Sequence, residues 1–303
     1  MDRFEAMQIF VRVVEARSFS KASDMMNLSP AKVSRTVHLL EERVGVRLLN
    51  RSTRSVGVTE DGALFYGRCV RILAEVADAE GLLTKDRRTP SGTVRVDTSA
   101  MLARALLLPR LGEFYARYPD IDVRLGLGDR NIDLFQDGVD CVVRMGVIGD
   151  ASLIARQIGR ASIVTCAAPS YIARNGTPRS LDELRAHHAI NYVSARTRKS
   201  YPFEYRVNDD IVRVDMRSTL AVNDGSTYIS AGVLGYGLIQ PSRFMVAEHI
   251  ARGELQEILT NCESPSTPVS LVFPHRRNLS PRLRAFSEWV SDVAQDHPDL
   301  QGV

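Results

Sequence analysis

Ala31, Ser34, Arg35 and His38 are spaced at i, i+3, i+4 and i+7 in a segment that opens Ser29-Pro30. Serine caps a helix with its hydroxyl, and proline suits the first helical position. Val33, Val37 and Leu40 fall on the opposite stripe, the one to be buried. The outer stripe is small at its leading end and then carries hydrogen-bonding and cationic groups. A helix that enters a major groove needs this arrangement: little bulk at the tip, then donors that reach base edges. The Ser34 hydroxyl and the amides at the helix start suit phosphate oxygens. An ordinary surface helix with a charged face has the same spacing, so the helix alone leaves both readings open.

The surrounding residues favour the nucleic-acid reading. After Gly45 the chain runs VRLLNRSTRSVGVT, which predicts two short strands around Asn50–Ser55. They form a hairpin wing whose tip carries Arg51 and Arg54, placed for phosphate or the minor groove. A solvated loop with two arginines is the alternative. Residues 1–58 hold ten Lys or Arg against six Asp or Glu, whereas residues 59–303 hold twenty-nine against thirty. A basic head on a near-neutral body directs a polyanion to the head only.

The elements that must position these groups follow from periodicity. Residues 2–16 predict an amphipathic helix with Met7, Phe10 and Val14 on one stripe. A short helix runs from about Ser20 to Met26, with small Ala22 allowing close approach and Met25 and Met26 as core filler. Asn27-Leu28-Ser29 turns into the next helix, which completes a helix-turn-helix. Thr59 caps a long helix with Glu60 and Asp61 in its first turn. Phe65, Cys69, Ile72, Val76, Ala79 and Leu83 follow at alternating spacings of four and three, a heptad seam. The expected use of that seam is pairing with a second copy, which would hold two recognition helices in fixed relation.

Length predicts two or three domains, and an ordinary apolar fraction predicts sizeable cores. From Thr93 strands and helices alternate. Strands are expected at Val94–Asp97, Ile121–Leu127, Val139–Met145, Ile154–Ile158, Ser162–Ala168, Ala189–Val193, Phe203–Val207, Ile211–Asp215, Thr219–Val222 and Val269–Phe273. Helices are expected at 99–118, 131–136, from Pro169, at 224–234, 244–251 and 281–294. The last strand and helix complete the sheet begun at Thr93. That makes two α/β lobes, with chain crossings near Ala161–Ile163 and Pro265–Pro268 and a hinged cleft between them. The expected division is a DNA-binding head at 1–58, a linker helix at 59–89 and a body at 90–303. Within the body, lobe I takes about 92–162 and 267–303, and lobe II about 163–266.

Three stretches, FVRVVEARSFSKAS, LSPAKVSRTVHLLEERVGVRLLNRSTR and TEDGALFY, resemble the signature of the LysR-type transcriptional regulators in order and spacing. The resemblance extends along essentially the whole chain. It implies a bacterial sequence-specific DNA-binding regulator with an α/β fold: a winged helix-turn-helix, a long dimerising linker helix and a two-lobed effector domain like a periplasmic binding protein. It implies double-stranded promoter DNA as partner, a homodimer or homotetramer, and a small-molecule effector, for which an organic acid is suited. The DNA-binding set is then Ser29, Pro30, Ala31, Lys32, Ser34, Arg35, His38, Arg51 and Arg54, with His38 where members vary. Met25-Met26-Asn27 replaces the more usual Leu-Gly-rich entry to the turn. In such domains the effector lies at the end of the first strand and the helix start after it, here Thr98, Ser99 and Ala100. Loop and strand ends across the hinge supply Ser194, Tyr201, Pro202, Phe203, Asn223 and Asp224, with lobe packing as the alternative role for Tyr201 and Phe203. Arg144 ends an apolar strand, where its cation can pair an effector carboxylate or serve a structural ion pair.

Other function classes find less support. Cys166 and Cys262 each fall near a proposed crossing, which suggests a redox-responsive regulator, but no electropositive neighbour is evident to activate either thiol. The four cysteines form no CxxC and no metal spacing, and no cofactor is expected. An enzyme lacks its marks: there is no Gly-rich phosphate loop, nucleophile elbow or HExxH. A secreted solute receptor would fit the lobes but not the basic head, and the first residues show no signal pattern. No apolar run reaches membrane-spanning length, and the chain is expected to be soluble and cytoplasmic.

Overall fold

The computed structural model describes residues 2–51, 56–83, 90–128, 138–148, 153–194, 198–274 and 279–301. They form two compact units, one holding residues 2–51 and 56–83 together with Gly138, the other the remaining described residues.

The first unit is a winged helix-turn-helix. Asp2 caps α1 (Arg3–Ala16), Ser18 caps α2 (Phe19–Met26) and Ser29 caps α3 (Pro30–Val44), each side chain accepting a backbone N–H of the first turn. Gly45, at φ 78°, ends α3 in the left-handed region. Strands β1 (Leu49–Arg51) and β2 (Val56–Val58) pair antiparallel, Leu49 opposite Val58, and α4 (Glu60–Leu83) follows. Ala6, Ile9, Phe10, Val13, Ala22, Val33, Val37, Leu40, Leu48, Leu49 and Cys69 build one core.

Three expectations change here. On α1 the buried residues are Ala6, Ile9, Phe10 and Val13, while Met7 and Val14 pack at the margin. This helix touches α2, α3 and α4 at once, so its covered face is wider and turned from a single stripe. Met25 is 61% exposed rather than core filler, because the short α2 buries only Ala22 and Ser23. The start of the heptad seam is used within the chain: Phe65 meets Phe10 at a ring distance of 5.6 Å, and Cys69 is fully buried in the same core. Leu64 and Ile72 are large apolar side chains that this part of α4 leaves exposed.

The second unit holds two α/β lobes. In the first, β3 (Gly92–Thr98) lies between the parallel strands β4 (Ile121–Leu127) and β5 (Cys141–Met145). The chain's return strand β13 (Thr267–Pro274) inserts antiparallel between β5 and β6 (Leu153–Ala161), and β14 (Leu300–Gln301) closes the edge on β6. Between β3 and β4 runs a segmented helix. It comprises α5 (Ala100–Leu102), a π turn at Ala103–Leu107, a 3-10 turn at Leu108–Arg110 and α6 (Leu111–Arg117). Pro109 explains the break: it has no N–H for the ladder, and the Leu108 N–H reaches back to the Ala103 carbonyl instead. Phe114 packs edge-on to Phe286 at 5.7 Å and lies 5.1 Å from Trp289, joining this helix to α10 (Pro281–Gln295).

In the second lobe, β7 (Thr165–Ala167) pairs with β12 (Gln256–Ile258), and β8 (His188–Tyr192) pairs parallel with β11 (Arg217–Val222). Leu238 and Ile239 bridge the two pairs through Ala189 and Cys166. Helices α7 (Pro169–Asn175), α8 (Gly225–Val233) and α9 (Arg243–Ala251) complete the lobe with the hairpin of β9 (Phe203–Val207) and β10 (Asp210–Val214). The expected strand at Ser162–Ala168 shortens to β7, that at Ile154–Ile158 lengthens to β6, and β12 and β14 were not anticipated. The helix expected at 131–136 lies outside the described residues. The ends of β6 and β13 pair at Ala161 and Thr267, and Arg160 donates to the Ser266 hydroxyl and carbonyl at 2.8 and 2.7 Å.

His187 is buried in the second lobe. The Tyr171 hydroxyl takes the His188 N–H at 2.9 Å and lies 3.2 Å from His187 Nδ1. Burial pulls the His187 pKa below its ordinary 6.5, opposed by Glu183 and aided by His188. The unfolded chain therefore binds more protons between the folded value and 6.5, and stability rises with pH across that window. Urea unfolding should show stability complete above about pH 6.5 and declining below it. His187→Asn, which keeps an acceptor without a titrating ring, should flatten the decline. An unchanged slope in the variant would assign the effect elsewhere.

Candidate nucleic-acid interface and effector cleft

Burial settles which way α3 faces within its unit. Val33, Thr36, Val37 and Leu40 are buried, an i, i+3, i+4, i+7 stripe to which Thr36 is an unanticipated addition. Ser29, Pro30, Ala31, Lys32, Arg35 and His38 are exposed and Ser34 is half-buried, so the candidate contact residues share the solvent side. Lys32 pairs with Glu5 of α1 at 2.6 Å, and His38 lies 3.4 Å from Glu42 one turn on. Both pairs are exposed, and such pairs hold their partners weakly enough to yield to a phosphate. Arg51 closes β1, while Arg54 and the wing tip lie outside the described residues.

In the second unit β3 delivers Thr98, Ser99 and Ala100 to the end of the first sheet. The Ser99 hydroxyl accepts the Leu102 N–H at 3.2 Å and so acts as the cap. The Thr98 hydroxyl is buried and, among the described residues, has no hydrogen-bond partner. Across from it, the exposed Asp224 caps α8, accepting from the Thr227 N–H and hydroxyl at 2.8 and 2.7 Å. Those bonds hold its carboxyl below the usual range. Met101, which sequence reasoning missed, joins the two sides. Its chain lies against the Gly225 backbone, and its sulfur accepts from the Ser226 hydroxyl at 3.3 Å.

The other candidates separate. Tyr201 is exposed and stacks toward Tyr192 at 6.0 Å, which in turn meets Tyr228 edge-on at 5.5 Å. Asn223 is exposed, Pro202 half-buried and Ser194 buried. Phe203 is buried in the lobe core with Tyr205 and Leu184. Arg144 bonds the Asp97 carboxylate at 2.7 Å and the Gly128 carbonyl at 2.6 Å, which makes the structural ion pair a present role. No sequence signal linked Arg144 to Asp97, on a different strand. Tyr192 and Tyr228 were likewise missed, since their strand and helix read simply as packed elements.

The cysteines do not come together. Cys166 belongs to the core around Tyr228 and Ile239, whereas Cys262 lies beside the core around Phe203. Burial pushes the Cys166 thiol up to about 12, which suppresses the reactive thiolate. Among the described residues no group of His, Cys, Asp or Glu is arranged to hold a metal.

Asp224 offers a clean discrimination. If it serves as a cap, Asp224→Asn should keep stability and effector response, while Asp224→Ala should lose about 1 kcal/mol in urea unfolding. A loss of response in Asp224→Asn at unchanged stability would instead make its charge part of the effector site.

A family model for bacterial regulatory helix-turn-helix proteins of the lysR family matches residues 4–63, and one for the LysR substrate binding domain matches residues 87–295. The chain is 36% identical over 299 residues to YhjC, an uncharacterized HTH-type transcriptional regulator of Escherichia coli, covering 99% of this chain and 100% of that one. It is 33% identical over 293 residues to the transcriptional activator AaeR of the same species, covering 96% and 94%. The solved structure of CrgA, a LysR-type transcriptional regulator from Neisseria meningitidis, superposes with a TM-score of 0.61 at 31% identity, over 95% of this chain and 97% of that one. With its basic winged head, its two-lobed body and these end-to-end matches, the chain belongs to the LysR family of DNA-binding transcriptional regulators.

Proposed function

We propose that this regulator works as a homodimer joined through α4, which presents the outer stripe of α3 to successive major grooves of promoter DNA. The observation that carries the reading is the division of α3 into a buried stripe and an outer stripe of exposed Ala31, Arg35 and His38 with half-buried Ser34. Arg35 and Ser34 reach base edges, His38 tunes sequence preference, and Ser29, Pro30, Lys32, Arg51 and Arg54 address the backbone. Because Phe65 and Cys69 are covered by α1, the pairing surface begins with Leu64 and Ile72 rather than with the whole heptad seam. Exposed Leu108, Tyr115, Leu234 and Tyr236 in the second unit support a further contact that assembles two dimers into a tetramer. Bacterial promoter DNA as target places the protein in the cytoplasm.

The effector in this reading is a small organic acid held between the lobes, at Thr98, Ser99 and Ala100 on one side and at Asn223, Tyr201 and Tyr192 on the other. The buried hydroxyl of Thr98 supports it, since an unpaired buried hydroxyl favours a ligand that bonds it. Such a ligand shifts the regulator only by its preference for one lobe closure over the other. The lobe boundaries that go with this are about 92–162 with 267–303, and about 163–266.

On duplexes selected from a random pool by the wild-type protein, Arg35→Ala should lose about 1–3 kcal/mol of binding and blur preference at one base position. Arg54→Ala should weaken all duplexes alike and lower the salt dependence by about one ion. Unchanged affinity and base preference in Arg35→Ala would remove α3 from the groove.

A further inference from the structure

The peptide around Leu48 is held from both sides. The Leu48 and Leu49 N–H groups both donate to one carboxylate oxygen of Glu41, at 2.8 and 3.0 Å. Glu41 lies in the last turn of α3, where the helix dipole disfavours a carboxylate. Two charge-assisted bonds to the start of the wing offset that cost. On the other side the Leu48 carbonyl accepts the Thr59 N–H at 3.0 Å. The Thr59 hydroxyl lies 2.8 Å from the Arg47 carbonyl and 3.1 Å from that of Leu48, and it accepts the Gly62 N–H at 2.9 Å as the cap of α4. Gly62 completes the clamp: a Cβ there would stand 1.9 Å from the Leu48 carbonyl oxygen. Backbone meets backbone at that point with no room for a side chain.

We propose that this joint, Glu41–Leu48–Thr59–Gly62, is a positioning device that fixes the angle between the linker helix and the recognition helix, and thereby the spacing of half-sites that a dimer reads. Glu41 ties α3 to the base of the wing, and Thr59 with Gly62 ties α4 to the same peptide. A turn of the linker helix therefore carries the wing base and α3 with it. The core sets this angle coarsely, because apolar packing is non-directional and tolerates small rolls. Hydrogen bonds to two consecutive peptide units, at fixed lengths and directions, do not. The proposal rests on the paired reading of the preceding section.

The test uses the full-length protein and duplexes selected from a random pool by the wild type, each rebuilt with one half-site, with two at the selected spacing, and with a spacer a base pair shorter or longer. Gly62→Ala should keep wild-type affinity for one half-site, lose about tenfold on two half-sites at the selected spacing, and recover part of that loss on an altered spacer. Glu41→Ala should broaden the spacing optimum, and Glu41→Gln, which retains an acceptor oxygen, should restore it. Equal losses of Gly62→Ala on single and paired half-sites at every spacer would overturn the proposal and leave the joint a fold contact only. So would a Glu41→Ala protein with the wild type's sharp optimum. A wild type that gains nothing from a second half-site would overturn the paired reading itself, and the proposal with it.

Discussion

Burial of the apolar face of α1 against α3 and α4 together is the constraint on which the DNA-binding unit depends. Ile9, Phe10 and Val13 share one core with Val33, Val37, Leu40 and Cys69, and Phe10 meets Phe65. A unit this small buries a limited share of its surface, so each fully covered side chain, worth about 1.5–3 kcal/mol, matters to whether it folds. The same burial fixes the roll of α3. A helix advances about 100° per residue, so a slip of one position would carry Arg35 toward the core and Val33 or Val37 out of it. An unpaired guanidinium under Phe10 is far more costly than any gain available to the slipped helix. The exposed stripe is thus a consequence of the packed one.

Much of this was legible because it is local chemistry. Ser29-Pro30 and Thr59-Glu60-Asp61 mark helix starts by the hydrogen bonds and dipole that the first turn requires, and the observed helices begin there. What the sequence could not show was the partner of a stripe. The spacing from Phe65 to Leu83 says that a face is buried, and says nothing of whether α1 or a second copy covers it. Met25 looked like core because its type is apolar, yet the eight residues of α2 have a covered face too narrow to include it. Strands β12 and β14 are too short for any period to register, and β6 is long because β13 and β14 both pair with it.

The body shows the same division between local and distant information. Its strands and helices were readable from alternation and caps, and the return of β13 to the first sheet follows from the chain's last apolar strand. The cleft residues were less so. Thr98 and Ser99 could be placed by where a strand hands over to a helix, but the bridge from Met101 to Ser226 is a contact between segments far apart in sequence. Arg144 illustrates the point most sharply. Its position at a strand end suits a ligand carboxylate, and a carboxylate does meet it, supplied by Asp97 of the neighbouring strand. The buried carboxylate of Asp97 requires a cation, and Arg144 already supplies it.

In the proposed dimer two outer stripes of α3, held by two copies of α4, read two major grooves on one side of a duplex. Hydroxyl-radical footprinting with methylation interference at guanine N7, on a duplex selected by the protein, tests it most directly. The proposed dimer should protect two backbone segments about one helical turn apart, or a whole multiple of it, with N7 interference at the guanines that face the major groove within them. A single protected segment, or two protected segments at which N7 methylation does not interfere, would contradict it.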